Sequence, residues 1–263
     1  MRREVLRGAA SARAAWTGEL LDLREEHRAF AALLSCVGEA DWERPSAAAG
    51  WTIRDQVAHL ADTEEVAADT LLDGPRAFGR ALEGFRTPEE FTAAGCRAGQ
   101  DLVPMALIAR WAQNADRTAD LLAVQGPTAR VAWGLGMPGR SFAAARLMEH
   151  WAHGLDVADA LSRTVTETPR LRHIATLGLA TLRYGFALAR QRWPQGRTLR
   201  LELTGADGTR YHFGDEDSTD VVRGPLVQWC CTVTRRTPRP AVAGLEAEGE
   251  LAELALVHAR AYL

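Results

Sequence analysis

Residues 148–161 read MEHWAHGLDVADAL. Two histidines, a glutamate and two aspartates interrupt an otherwise apolar run. An α-helix turns about 100° per residue, so Glu149 and His153 share one face, one turn apart. An acid and an imidazole at that spacing can ligate one divalent cation. Asp156 lies on the same side, whereas His150 points about 100° away from Glu149. Met148, Trp151, Leu155 and Ala158 line the opposite, apolar side. Periodicity alone leaves two readings open: a metal-binding face, or the solvated polar face of an ordinary amphipathic helix.

A second stretch bears on the choice. GWTIRDQVAHLADTEE, residues 50–65, opens with Thr52 as N-cap and Asp55 in the first turn, where a carboxylate is favourable. The pattern predicts a helix from about Ile53 to Leu72, stopped by Gly74 and Pro75. His59 points away from the stripe of Ile53, Val57 and Leu60. Taken alone it reads as a surface residue. Joined to Glu149 and His153, it completes the two-imidazole, one-carboxylate set of catalytic zinc sites, which keep one position open. Facing helices of a bundle are a known place to build such a site.

Outward from these two helices, the spacing stays helical over the first two-thirds of the chain. Leu20, Leu21, Leu23, Phe30, Leu33 and Leu34 mark one helix, and Asp101 to Leu122 another. DWERPSAAAGW and VAWGLGMPGR are connections, and residues 74–100, rich in Gly, Pro and charge, read as a loop with short helical pieces. Ser141 opens the helix that holds the quoted stretch. The expectation is an α-helical four-helix bundle over residues 1–165.

The texture then changes. Arg170 to Trp193 reads as a helix, and LRLELTG and TRYHFG alternate at period two around a Gly-Ala-Asp-Gly turn, a hairpin signal. Gly224 and Pro225 lead into a helix through VQWCCTVTRR, AVAGLEAEG reads as a strand, and ELAELALVHARAYL as a closing helix. Residues 166–263 are therefore expected to form a small α+β domain.

Composition narrows the function classes. The 263 residues are 47% hydrophobic and 25% charged, the balance of a globular protein with a sizeable core. A formal net charge of −3 argues against nucleic acid or an anionic membrane as partner, since both reward a basic face. There is no lysine, so the side-chain cations other than histidine are arginines, suited to bidentate contacts with carboxylates. The four cysteines, Cys36, Cys96, Cys230 and Cys231, form no CxxC pair, and a reduced, cytoplasmic setting is expected. The vicinal Cys230 and Cys231 are read as inert core residues. MRREVLRGAASARAAW is basic without an apolar core, so it is not read as a signal peptide. No uninterrupted run of about 18 apolar residues suggests a membrane span.

GWTIRDQVAHLAD together with ARLMEHWAHGLDVADAL resembles the DinB/YfiT-like metalloprotein superfamily. The likeness is greatest to the actinobacterial branch that includes mycothiol-dependent maleylpyruvate isomerase. PRLRHIATLG, RLELTGADG and VRGPLVQWCCTVTRR also look like the pattern of a related branch, so the resemblance covers nearly the whole chain. It implies a DinB-like metal-binding bundle followed by a sterol-carrier-protein-like domain. The histidine of the W-x-x-x-x-x-V-A-H motif falls on His59, and the E-x-W-x-H motif on Glu149 and His153. The resemblance implies that these three hold Zn2+ or another divalent metal, which activates a low-molecular-weight thiol, mycothiol. The thiol would be transferred to an electrophilic, anionic small molecule, or would promote its isomerisation. The loop VAWGLGMPGRS departs from the family's wording, which leaves substrate choice open.

Other roles follow from residue chemistry. Arg236 or its neighbour Arg235 could clamp a substrate carboxylate across a domain interface. Asp55 and Asp156 could accept hydrogen bonds from the far nitrogens of the ligating imidazoles. The alternatives are a thiol-independent metal enzyme of hydrolysis, dehydration or cyclisation in secondary metabolism, or a non-catalytic metal- and ligand-binding protein. The three-ligand count favours catalysis, because structural zinc normally fills four positions with protein groups. A monomer or homodimer acting on a small molecule is expected.

Overall fold

The structure, a computed structural model, describes residues 2–236 and 244–261, the side chains of residues 2–11 excepted. The chain divides into two compact units, Met1–Val165 and Thr166–Leu263. The first is helical, and the second contains a small sheet.

In the first unit four long helices pack on one another: α1 (Arg2–Leu34), α2 (Ile53–Asp73), α5 (Pro104–Gln125) and α6 (Gly139–Ala160). α1 and α2 each pack against both α5 and α6. Thr52 caps α2 as its sequence suggests: its Oγ1 accepts the Asp55 N–H at 3.2 Å, and Asp55 accepts the Thr52 N–H at 2.9 Å. Phe30, Leu34, Trp42, Ile53, Val57, Leu60, Leu107, Trp111 and Val157 form a continuous core between the helices.

Residues 74–100 are more ordered than their composition suggests. They hold α3 (Pro75–Leu82) and α4 (Pro88–Gln100). Pro75, Pro88 and Pro104 each occupy the first helical position, where the missing N–H costs nothing. The prolines read as breakers are thus helix starts, and α5 begins at Pro104 rather than Asp101. α4 lies close against α2 because Gly99 has no side chain: a Cβ there would meet the Ala58 Cβ at 2.2 Å. A two-stranded ribbon, β1 (Arg130–Val131) and β2 (Met137–Pro138), leads into α6. α6 starts at Gly139, slightly before Ser141.

α6 corrects the amphipathic expectation. It is buried nearly all round, with His150 and Asp156 enclosed as fully as Met148, Trp151, Leu155 and Ala158, and His153 nearly so. A central helix has no solvated face for its polar residues to occupy, so each must find a partner inside.

The second unit has sheet order β4-β3-β5-β6. β3 (Leu199–Thr204) and β4 (Arg210–Phe213) form the expected antiparallel hairpin. Leu199, Leu201 and Leu203 of β3 are buried, and the residues between them are half-buried. β5 (Asp220–Pro225) lies parallel to β3 and was not legible as a strand. Its run VVRGP leads straight into α9 (Leu226–Thr234) and lacks period-two alternation. β6 (Glu246–Glu248) pairs antiparallel with β5, and the earlier part of AVAGLEAEG, residues 241–243, lies outside the described residues. α10 (Glu250–His258) follows. The buried Asp220 caps it from β5, accepting the Leu251 N–H at 2.7 Å, and Gly249 at φ 100° leaves room for that carboxylate.

The helix expected over 170–193 is two, α7 (Leu171–Ala180) and α8 (Leu182–Leu188). They part at Thr181, whose hydroxyl donates back to the Leu177 carbonyl at 2.9 Å, a bond that bends helices. Trp229, Cys230 and Cys231 are fully buried in α9; Trp229 Nε1 donates to the Ala175 carbonyl of α7.

Among the described residues no helix is long and apolar enough to cross a membrane.

Candidate metal centre

α2 and α6 bring His59, Glu149 and His153 together. His59 Nε2 lies 3.5 Å and His153 Nε2 3.3 Å from the same oxygen, Glu149 Oε2. Ligands bound at about 2.0–2.1 Å around a tetrahedral zinc stand roughly 3.3 Å from one another. Each imidazole nitrogen thus stands from Glu149 Oε2 at about the spacing such a cation sets, and all three donor atoms lie within 4.8 Å of one another. The three side chains keep 13%, 20% and 11% exposure, so a further ligand can reach the group from solvent. Trp51 lies parallel to His153, centroids 6.0 Å apart, and tilted against His59 at 5.3 Å. Its ring limits the rotation of both imidazoles.

Burial by itself raises the Glu149 carboxyl. Hydrogen bonds from His153 and His59, with the charges of His153 and Arg146, outweigh it and hold the carboxyl well below the usual range. Glu149 therefore stays an anion, the form that binds metal. Soft thiolate donors are absent from the group; two imidazoles and a carboxylate suit zinc and comparable divalent ions.

Asp156 Oδ2 stands 3.8 Å from His153 Nδ1, beyond direct hydrogen-bonding reach. Asp55 is occupied otherwise, since its Oδ2 accepts from both the N–H and the hydroxyl of Thr52. The acceptor in contact with His153 Nδ1 is Gln56 Oε1, at 2.5 Å. Gln56 sits one turn before His59 on the same side of α2, and an uncharged amide gives no sequence signal of this contact. Arg235 and Arg236 lie at the C-terminal end of α9 in the second unit. Arg235 adopts the left-handed conformation, φ 58°, and Arg236 Nη1 donates to the Thr234 carbonyl at 2.8 Å.

A second group of the same composition lies deeper: His27 of α1, Glu64 of α2 and His150 of α6. His150 is not available to it as a ligand. The indole of Trp111 can only donate, and it donates to His150 Nε2 at 2.9 Å. The proton of His150 is therefore on Nδ1, 2.8 Å from the Arg146 carbonyl it serves. Both nitrogens are engaged and no lone pair is left for a cation. Glu64 Oε1 accepts from Arg146 Nε at 2.7 Å, both side chains being enclosed. Burial alone raises the Glu64 carboxyl, but the Arg146 charge brings it below the usual range. His27 and His150 are driven the other way, chiefly by burial, to about 3 and about 4, and so are neutral.

Residues 23–158 match the family described as the mycothiol maleylpyruvate isomerase N-terminal domain. An uncharacterized protein from two strains of Mycobacterium tuberculosis is 33% identical over 242 residues, covering 92% of this chain and 93% of the relative. The crystal structure of the mycothiol-dependent maleylpyruvate isomerase has a similar fold, with TM-score 0.58 at 21% identity over 88% of this chain and 92% of that one. The structure of a point mutant of that enzyme gives a TM-score of 0.56. Through its helical unit and the two stretches that carry its histidines, the chain belongs to the mycothiol maleylpyruvate isomerase N-terminal domain family.

Proposed function

We propose that this chain is a divalent-metal enzyme that uses a low-molecular-weight thiol, mycothiol, to transfer to or isomerise an electrophilic small molecule. The observation that carries the reading is the convergence of His59 Nε2 and His153 Nε2 on one oxygen of an ionised Glu149, with solvent access retained. His59, Glu149 and His153 hold the metal, zinc in this reading. A bound divalent cation lowers the pKa of a coordinated thiol, supplying a nucleophile near neutral pH. Around it the chain's own groups orient and shield: Trp51 flanks both imidazoles, and Asp156 adds negative charge beside His153. Arg235 or Arg236 is the proposed guanidinium for a substrate carboxylate. The helical unit is taken to be a DinB-like four-helix bundle and the second unit a sterol-carrier-protein-like domain.

The test is calorimetric titration of mycothiol into the zinc-loaded and metal-stripped chain. The expected result is binding to the zinc form alone, abolished in Glu149→Ala. Zinc uptake without thiol binding would remove the thiol from the reading and favour metal-dependent chemistry on water or substrate.

A further inference from the structure

We propose that Gln56 is a positioning residue of the metal centre, holding His153 in the one tautomer that can ligate. The inference rests on the metal-site reading above. Gln56 is fully buried, so no bulk water competes for its amide. Its Nε2 donates to Ser46 Oγ at 2.8 Å, and Ser46 Oγ in turn donates to the Trp51 carbonyl at 3.0 Å. Because that hydroxyl spends its proton on the carbonyl, it receives one from the amide, and the NH2 of Gln56 must face Ser46. The amide oxygen then faces His153, and the nitrogen 2.5 Å away, Nδ1, must carry the ring proton. A cation then takes Nε2, displacing the proton that Nε2 shares with Glu149 Oε2 in the metal-free chain.

The loop before α2 fixes the start of this relay. Ser46 N donates to the Trp51 carbonyl at 2.7 Å, Ile53 N to the Arg44 carbonyl at 3.0 Å, and Pro45 and Thr52 form an isolated bridge. One loop therefore sets both the Trp51 ring that stacks on His153 and the hydrogen bond that orients it. A neutral amide also differs from a carboxylate in its effect. It fixes the tautomer without making the imidazole a stronger donor, so a bound cation keeps more of its acidity toward the fourth ligand.

The test is titration of Co2+ into the metal-stripped full chain, followed by visible absorption, in wild type, Gln56→Leu, Gln56→Glu and Ser46→Ala. Gln56→Leu is expected to weaken cobalt binding about 10- to 100-fold and to alter the ligand-field bands, the usual scale for losing a hydrogen-bond partner of a ligating histidine. Gln56→Glu, which keeps an acceptor, restores affinity to the wild-type level or above; Ser46→Ala loses less than Gln56→Leu. Wild-type affinity and bands in Gln56→Leu would overturn the inference. So would a Gln56→Glu protein that melts like wild type yet binds cobalt as weakly as Gln56→Leu. Absence of cobalt binding by the wild type would instead overturn the metal reading beneath it.

Discussion

Two groups of identical composition, each two histidines and a glutamate, lie between α2 and α6, the deeper one also drawing His27 from α1. His59, Glu149 and His153 keep partial exposure, and their facing donor atoms stand 3.3 and 3.5 Å apart. His27, Glu64 and His150 are enclosed, and His150 has already committed both nitrogens to Trp111 and Arg146. Composition and proximity are the same; the disposition of lone pairs is not. In the shallow group the imidazole nitrogens face a carboxylate and solvent, where a cation can replace their protons; in the deep group His150 holds both nitrogens in fixed bonds, while His27 and Glu64 Oε2 are shut away without hydrogen-bond partners among the described residues. The deep group also serves the shallow one. The Glu64–Arg146 pair joins α2 to α6 about one turn from His59 on one helix and from Glu149 on the other. It ties the two helices together in the register that the three ligands need.

The sharpest break between the groups is metal content. Glu149→Ala is expected to lower zinc affinity by at least about 100-fold, while His150→Ala, outside the ligand set, leaves stoichiometry unchanged. Elemental analysis of both purified variants checks this, and equal loss in the two would erase the distinction. Stability should invert the order. Glu64→Ala leaves the Arg146 guanidinium buried without its carboxylate, a loss of about 3–5 kcal/mol and a fall in melting temperature of roughly 10 °C for the helical unit. Glu149→Ala in the metal-free chain should change the melting temperature far less.

How much of this was legible depended on the kind of interaction. His59, Glu149 and His153 stand out because residue types and spacing along α2 and α6 suffice to align them. The deep group does not, because it draws His27 from α1, and no local pattern tells which face of α1 meets His150. Nothing in the local sequence marks Arg146 and Glu64 as a buried pair; that follows only from the central place of α6. Gln56 is uncharged and does not stand out in the sequence beside the acidic Asp55, whose carboxylate the capping of α2 takes first. In the second unit, the alternation of β3 and β4 was readable, whereas β5 was not, since a strand in the interior of a sheet need not alternate.

The two groups should also differ in acid. His27 faces His150, Glu64, Arg146 and Asp116, and its pKa falls from 6.5 to about 3, mainly through burial. The unfolded chain then binds more protons than the folded one between those values, so stability falls as pH drops from 6.5 toward 3. His150, lowered to about 4, acts in the same direction. Each contributes up to about 1.4 kcal/mol per pH unit over its range. Urea midpoints of the metal-free chain should therefore decline from pH 7 to pH 5, and His27→Leu should remove about half of the His27–His150 part of that slope. Neither ring nitrogen of His27 has a hydrogen-bond partner among the described residues, so an apolar replacement costs no such bond. An unchanged slope in His27→Leu would mean that the imidazole is hydrated and titrates freely.

The smallest effect concerns Asp55, which lies between Arg54 and Gln56 at the start of α2. If it serves the cap, Asp55→Ala loses two bonds to Thr52 and costs about 1 kcal/mol, a shift of roughly 2–4 °C. Metal affinity should hold, because the acceptor on His153 Nδ1 is the next residue along. If instead Asp55 orients an imidazole, zinc affinity falls with little change in melting temperature. Measured side by side with Gln56→Leu, the variant separates two adjacent side chains: one bears on the end of the helix, the other on the histidine across from it. The prediction is a melting shift in Asp55→Ala and an affinity shift in Gln56→Leu, and an exchange of those two results would assign the hydrogen bond to the wrong neighbour.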